Sequence, residues 1–128
     1  MSVKENKALV QRIYKLCNLR ELEVYFKLFD PGYILHSING DLSLEQAKQF
    51  EIDFFNSFPD IKATLEDIIA EGDKVAVLVT WRGTHKDTGK KIEMTNANVF
   101  RITNNKCTEL WNVTDIRLAQ QLGDIPRR

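Results

Sequence analysis

The chain has 128 residues, enough for one domain with a real core and too few for two ordinary ones. Eighteen basic and eighteen acidic residues give a formal net charge of +0, which removes the electrostatic reason to bind nucleic acid or an anionic membrane. No apolar run is long enough to span a bilayer. The two cysteines, Cys17 and Cys107, lack metal-ligand spacing, and the polar N-terminus carries no secretory signal, so a cytoplasmic protein with reduced thiols is expected.

The first third of the chain has a helical period. Leu9, Val10, Ile13, Leu16 and Cys17 define one apolar face, and a second helix is predicted over Leu19–Phe29, with Asn18 and Glu21 placed as a capping box. Asp30-Pro31-Gly32 stops it, Tyr33–His36 reads as a short strand, and a loop follows through Asn39-Gly40. Ser43 with Gln46 is the capping box of a third helix, along which Leu44, Ala47, Phe50, Phe54, Phe55 and Phe58 form an apolar stripe read as core. Everything afterwards alternates. Strands are predicted over Ile61–Glu71, Lys74–His85, Lys90–Thr103 and Lys106–Thr114, joined by turns at Gly72-Asp73, Lys86–Gly89 and Asn104-Asn105. Helices followed by a meander predict an α+β domain whose long curved sheet wraps its own helices and leaves a cavity between them.

Polar residues on a face that the period assigns to the interior are the candidates for chemistry, because burial is costly unless they are paired. Asn96 and Asn98 share a strand face with Ile92, Met94, Phe100 and Ile102; they line a pocket, or else that face is solvated and the Ala97–Val99 face is core. Tyr14, beside Ile13, is placed to turn its phenol into the cavity or to its rim. His36 and His85 are either substrate-orienting groups or satisfied structural residues, and Arg82 and Arg101 are expected to pair with surface carboxylates. Asp115 closes the last strand and opens a terminal helix (Ile116–Gly123). There it either caps that helix or, sharing a strand face with Trp111 and Val113, acts as a desolvated proton acceptor. No second buried carboxylate is evident in the predicted sheet. A glycine-rich phosphate loop, a Gly-x-Ser-x-Gly elbow, a His-Glu-x-x-His pair and any clustered metal-ligand set are absent, so no metal or cofactor is expected.

Several short segments occur in a characteristic order: Asn56-Ser57-Phe58-Pro59-Asp60, Glu66 through Ala76, Gly83-Thr84-His85, Thr88-Gly89-Lys90, Phe100-Arg101-Ile102, Glu109 through Asp115, and Gln121-Leu122-Gly123. That series resembles the SnoaL-like polyketide cyclase (ester cyclase) family over nearly the whole chain, which reads as a single domain. The resemblance implies the cystatin-like cone shared with nuclear transport factor 2 and ketosteroid isomerase, with N-terminal helices packed in a curved antiparallel sheet, commonly as a homodimer. It also implies an aspartate in the final Trp-to-helix segment acting as general acid/base in an intramolecular aldol closure, without metal or cofactor; the matching residue is Asp115. Tyr14, His36 and Asn98 match the pocket positions on the first helix, the strand end and the penultimate strand. One departure is a short loop, where Lys86-Asp87 alone separates Gly83-Thr84-His85 from Thr88-Gly89-Lys90, which argues against a large polycyclic substrate.

Two functions follow as expectations. In the first, a cofactor-free cyclase or isomerase uses Asp115 to take a proton α to a carbonyl, Trp111 keeps the site dry, and Asn98, His36 or Tyr14 polarises the developing enolate. Asn96 and His85 complete the expected ligand-binding set. In the second, the same cavity is a non-catalytic module holding a small apolar or carbonyl-containing molecule.

Overall fold

The first helix starts where the sequence supplies a capping box. In the computed structural model, which describes residues 2–114, Ser2 caps α1 (Val3–Asn18): its hydroxyl accepts from the Glu5 amide at 3.0 Å, while the Glu5 carboxylate accepts from the Ser2 amide at 3.2 Å. The predicted face of α1 is the buried one, with Leu9, Val10, Ile13 and Cys17 in the core and Leu16 packed against it.

The second helix is shorter than its pattern suggests. Asn18 does not cap it; its side-chain amide donates to the Ala63 carbonyl and accepts from the Ala63 amide, both at 2.8 Å. A tertiary partner therefore outcompetes the local cap. Arg20 then turns the chain through a left-handed conformation (φ 59°), and α2 is confined to Leu22–Phe26. Phe29 is not the end of a helix but the start of β1 (Phe29–Ser37), which bulges at Asp30-Pro31-Gly32, where the Asp30 carboxylate accepts from the Gly32 amide. The expected loop after His36 is a tight hairpin into β2 (Gly40–Ser43). Ser43 and Gln46 then cap α3 (Leu44–Ser57) as predicted.

Four strands follow close to their predicted bounds: β3 (Lys62–Glu71), β4 (Lys74–Thr84), β5 (Lys91–Thr103) and β6 (Lys106–Thr114). Asn104 and Asn105, both at positive φ, form the β5–β6 hairpin turn. The sheet order is β2-β1-β6-β5-β4-β3. All neighbours are antiparallel except β1 and β6, which run parallel with His36 opposite Trp111, so the expected α+β cone is built on a mixed sheet. The inner face buries Val75, Val77 and Val79 of β4 and Phe100 and Ile102 of β5. Helix α1 packs across β3 and β4, and α3 across β1 and β2. The space left between them, over β5 and β6, is a cavity. Among the described residues no helix is long and apolar enough to cross a membrane.

Candidate functional site

The cavity has a volume of about 280 Å³ and walls that are mostly apolar. Phe50, Phe54 and Phe55 of α3, Trp81 of β4, Phe100 of β5 and Leu110 of β6 are among the apolar residues that line it. A space of this size suits a small organic molecule of the one- or two-ring class. Its polar groups are few and come mainly from two places: the inner face of β5 and β6, and the side of α3 that faces it.

On the sheet side, burial settles which face of β5 is interior. Asn96 and Asn98 are 4% and 5% exposed, whereas Ala97 is exposed. Register places Asn98 opposite Asn112 and Asn96 opposite Thr114, and the side chains form one directed chain of hydrogen bonds. The Asn96 amide donates to the Thr114 hydroxyl at 2.7 Å, which donates to the Asn112 carbonyl oxygen at 2.6 Å. The Asn112 amide donates to the Asn98 carbonyl oxygen at 2.7 Å, and the Asn98 amide donates to the Tyr14 hydroxyl at 3.0 Å. Each donation polarises the next group, so the chain delivers its polarity to Tyr14. The Tyr14 oxygen is thereby occupied as an acceptor, and its own proton has no acceptor among the described residues. Burial pushes the phenol well above its usual range, the Asn98 bond opposing only in part. Tyr14 is therefore a neutral donor held at the cavity wall, its ring fixed edge-on to Phe100 at 5.9 Å between centroids.

The helix side carries a residue that the sequence pattern obscured. Glu51 lines the cavity from α3, and its Oε1 accepts from the Tyr25 hydroxyl at 2.7 Å. Desolvation raises its carboxyl to about 7, with the Tyr25 bond pulling the other way. None of the ion pairs among the described residues includes it. A signal was present in the sequence: Glu51 falls four residues after Ala47 and four before Phe55, on the buried side of the stripe.

Three expected ligand-binding residues sit elsewhere. Along β6, Leu110, Asn112 and Thr114 face the cavity, so Trp111 and Val113 face outward, and Trp111 does not shield the site. His36, paired with Trp111 across the parallel register, stacks on the indole at 5.2 Å. Its Nδ1 lies 2.8 Å from Asp41 and its Nε2 2.7 Å from Glu109, which together raise its pKa, Glu109 contributing first. Glu109 is shared with Arg101 at 2.7 Å, so this is an ion-pair network on the outer sheet face. His85 lies in the β4–β5 loop. Its Nδ1 accepts from the amides of Asp87 and Thr88, and its ring meets Phe58 edge-on at 5.3 Å, which leaves it a loop partner away from the cavity lining. Arg82 pairs with Glu93 at 3.1 Å on the surface, as expected. Asp115 lies outside the described residues.

Cys17 is at the cavity wall and Cys107 in the core behind it; burial pushes both thiols up to about 12, so neither is a nucleophile near neutral pH. Among the described residues no group of three His, Cys, Asp or Glu side chains is gathered to hold a metal ion.

Comparison with known proteins places this architecture. No curated protein matches the sequence. Among solved structures, the chain is similar to AclR of Streptomyces galilaeus, a proposed hydroxylase, at 26% identity and a TM-score of 0.86, covering 98% of this chain and 100% of that one. It is similar to IdmH of Streptomyces antibioticus, a proposed polyketide cyclase, at 26% identity and a TM-score of 0.79 over 92% and 98% of the two chains. A proposed polyketide cyclase of Bacillus cereus ATCC 10987 shares 28% identity with a TM-score of 0.79 over 98% and 87%. The model of the SnoaL-like polyketide cyclases matches residues 7–122, so the chain, with its helices packed in a curved sheet around a small apolar cavity, belongs to the SnoaL-like polyketide cyclase family.

Proposed function

We propose that the protein is a small-molecule cyclase or isomerase that binds a carbonyl compound in this cavity. The observation that carries the reading is the directed chain from Asn96 to Tyr14, which ends on a neutral phenol whose proton has no acceptor among the described residues. A donor fixed in an apolar cavity stabilises the oxygen of a forming enolate more than it stabilises the ketone, since charge develops there during proton removal. Asp115 is the proposed base. The support is its match to the family aspartate of the final Trp-to-helix segment. Phe54, Trp81 and Phe100, rather than Trp111, keep the site dry in this scheme. The proposal requires no metal or cofactor for proton removal, and the protein acts as a homodimer joined through the outer sheet face.

The test uses 1-phenylpentane-1,4-dione in deuterated buffer, with exchange at its α carbons followed by proton NMR. The wild-type protein is expected to accelerate exchange, Asp115→Asn to lose about 100-fold or more, and Tyr14→Phe to lose about tenfold or more. Unchanged exchange in Asp115→Asn removes that residue as the base. If wild type binds the dione without accelerating exchange, and Asp115→Asn binds it equally well, the cavity belongs to a binding module.

A further inference from the structure

The cavity has a second polar group, on its α3 side. Glu51 Oε1 is held by Tyr25, but Oε2 has no partner among the described residues and is not sealed from the cavity that Glu51 lines. A free carboxylate there, with no cation to pair it, is costly, whereas a neutral carboxylic acid is tolerated and carries one hydrogen to give away. We propose that Glu51, positioned by Tyr25, is a second oxygen-binding donor, so that the compound accepted by this cavity carries two carbonyl-type oxygens, one taken by Tyr14 and one by Glu51. This names the substrate class of the site proposed above and rests on that reading.

The surroundings make Glu51 the group that changes charge near neutral pH. Among the described residues, Tyr14 and Cys17 of α1, Tyr25 of α2, Tyr33 of β1 and Cys107 of β6 are the titratable groups that share its environment. Burial raises every one of them, so all stay neutral where Glu51 titrates at about 7. Arg20 donates to the Cys17 carbonyl and lies over the Phe55 ring. His36 and its carboxylates are on the other face of the sheet. Below neutrality Glu51 donates to a ligand oxygen; above it, the carboxylate repels that oxygen.

The experiment compares acetophenone, with one carbonyl, and 1-phenylpentane-1,4-dione, with two, neither of which titrates between pH 6 and 8.5. Binding is followed by quenching of tryptophan fluorescence, since Trp81 lines the cavity. In wild type the dione is expected to bind about tenfold tighter than acetophenone at pH 6, an advantage gone by pH 8.5. Glu51→Gln, whose amide donates at any pH, keeps the advantage at both values, and Glu51→Leu has none at either. The inference falls if the dione has no advantage at pH 6, or if Glu51→Gln loses it with pH as wild type does; should Glu51→Leu not fold, the Gln variant decides. If acetophenone binds and Tyr14→Phe weakens it while no Glu51-dependent advantage exists, the carbonyl-site reading stands and this inference alone is overturned. If neither compound binds, or filling the cavity by Asn98→Phe leaves binding unchanged, both are overturned.

Discussion

A glutamate on the buried side of a helix has a stability signature of its own, whatever it binds. With its folded pKa at about 7 against an ordinary 4.5, Glu51 keeps its proton in the folded chain after the unfolded chain has released it. Its unfavourable contribution is therefore absent below pH 4.5, grows as pH rises to about 7, and is constant above that. The full effect is at most about 3 kcal/mol. Glu51→Gln is expected to remove this slope, so its stability relative to wild type rises by that amount between pH 4.5 and 8. Paired urea denaturation series would show it, and a constant difference across that range would mean Glu51 is not desolvated. The same residue marks what sequence reading missed. The aromatic stripe of α3 reads as uniform core, and a single carboxylate within it adds no period of its own. Helical period and strand parity group Tyr14, Asn96 and Asn98 with apolar neighbours but leave open whether that side is interior. Trp111 reads as interior yet stands on the outer face because parity tells which residues share a face, not which face is inside. That depends on the helices that cover one side of the sheet.

Elements were legible where their signals are local. The Ser43–Gln46 box, the Asn104-Asn105 turn and the alternation of β4 each act within a few residues, and each element formed as expected. The second helix is shorter than its pattern for a non-local reason, the claim of the Ala63 backbone on Asn18. The parallel β1–β6 pairing was invisible because nothing in Tyr33–His36 encodes a partner more than 70 residues away. One junction between elements is tight enough to test. A Cβ on Gly83 of β4 would lie 2.6 Å from Ile61 Cδ1 and 3.1 Å from Ile61 Cα, and Ile61 is fully buried just before β3. Gly83→Ala is expected to cost about 1–3 kcal/mol, measured as a lowered denaturation midpoint; an unchanged midpoint would show that Ile61 can yield without strain.

At the scale of the molecule, the sheet has one face turned to its helices and another that is partly apolar. Leu78, Ala97 and Val113 stand in register across β4, β5 and β6 on the outer side, all exposed, and Ile69 of β3 is 65% exposed near them. A row of this kind is a reason for two copies to meet there. Sedimentation at micromolar concentration is expected to give twice the chain mass, and Val113→Lys to give the chain mass; a monomer in wild type would refute the dimer. The mixed sheet has a different consequence, in time rather than space. Strand β1 touches the sheet through β6 and β2 alone, and β6 is the last strand of the meander. The hairpin of residues 29–43, though made early by a ribosome, has no sheet edge to dock on until residues 106–114 are in place. Closing so long a loop is entropically expensive and slow. The wall that carries Leu35, Ser37 and Leu42 is therefore the last part of the cavity to be set, and a chain cut short before β6 has no complete cavity to offer.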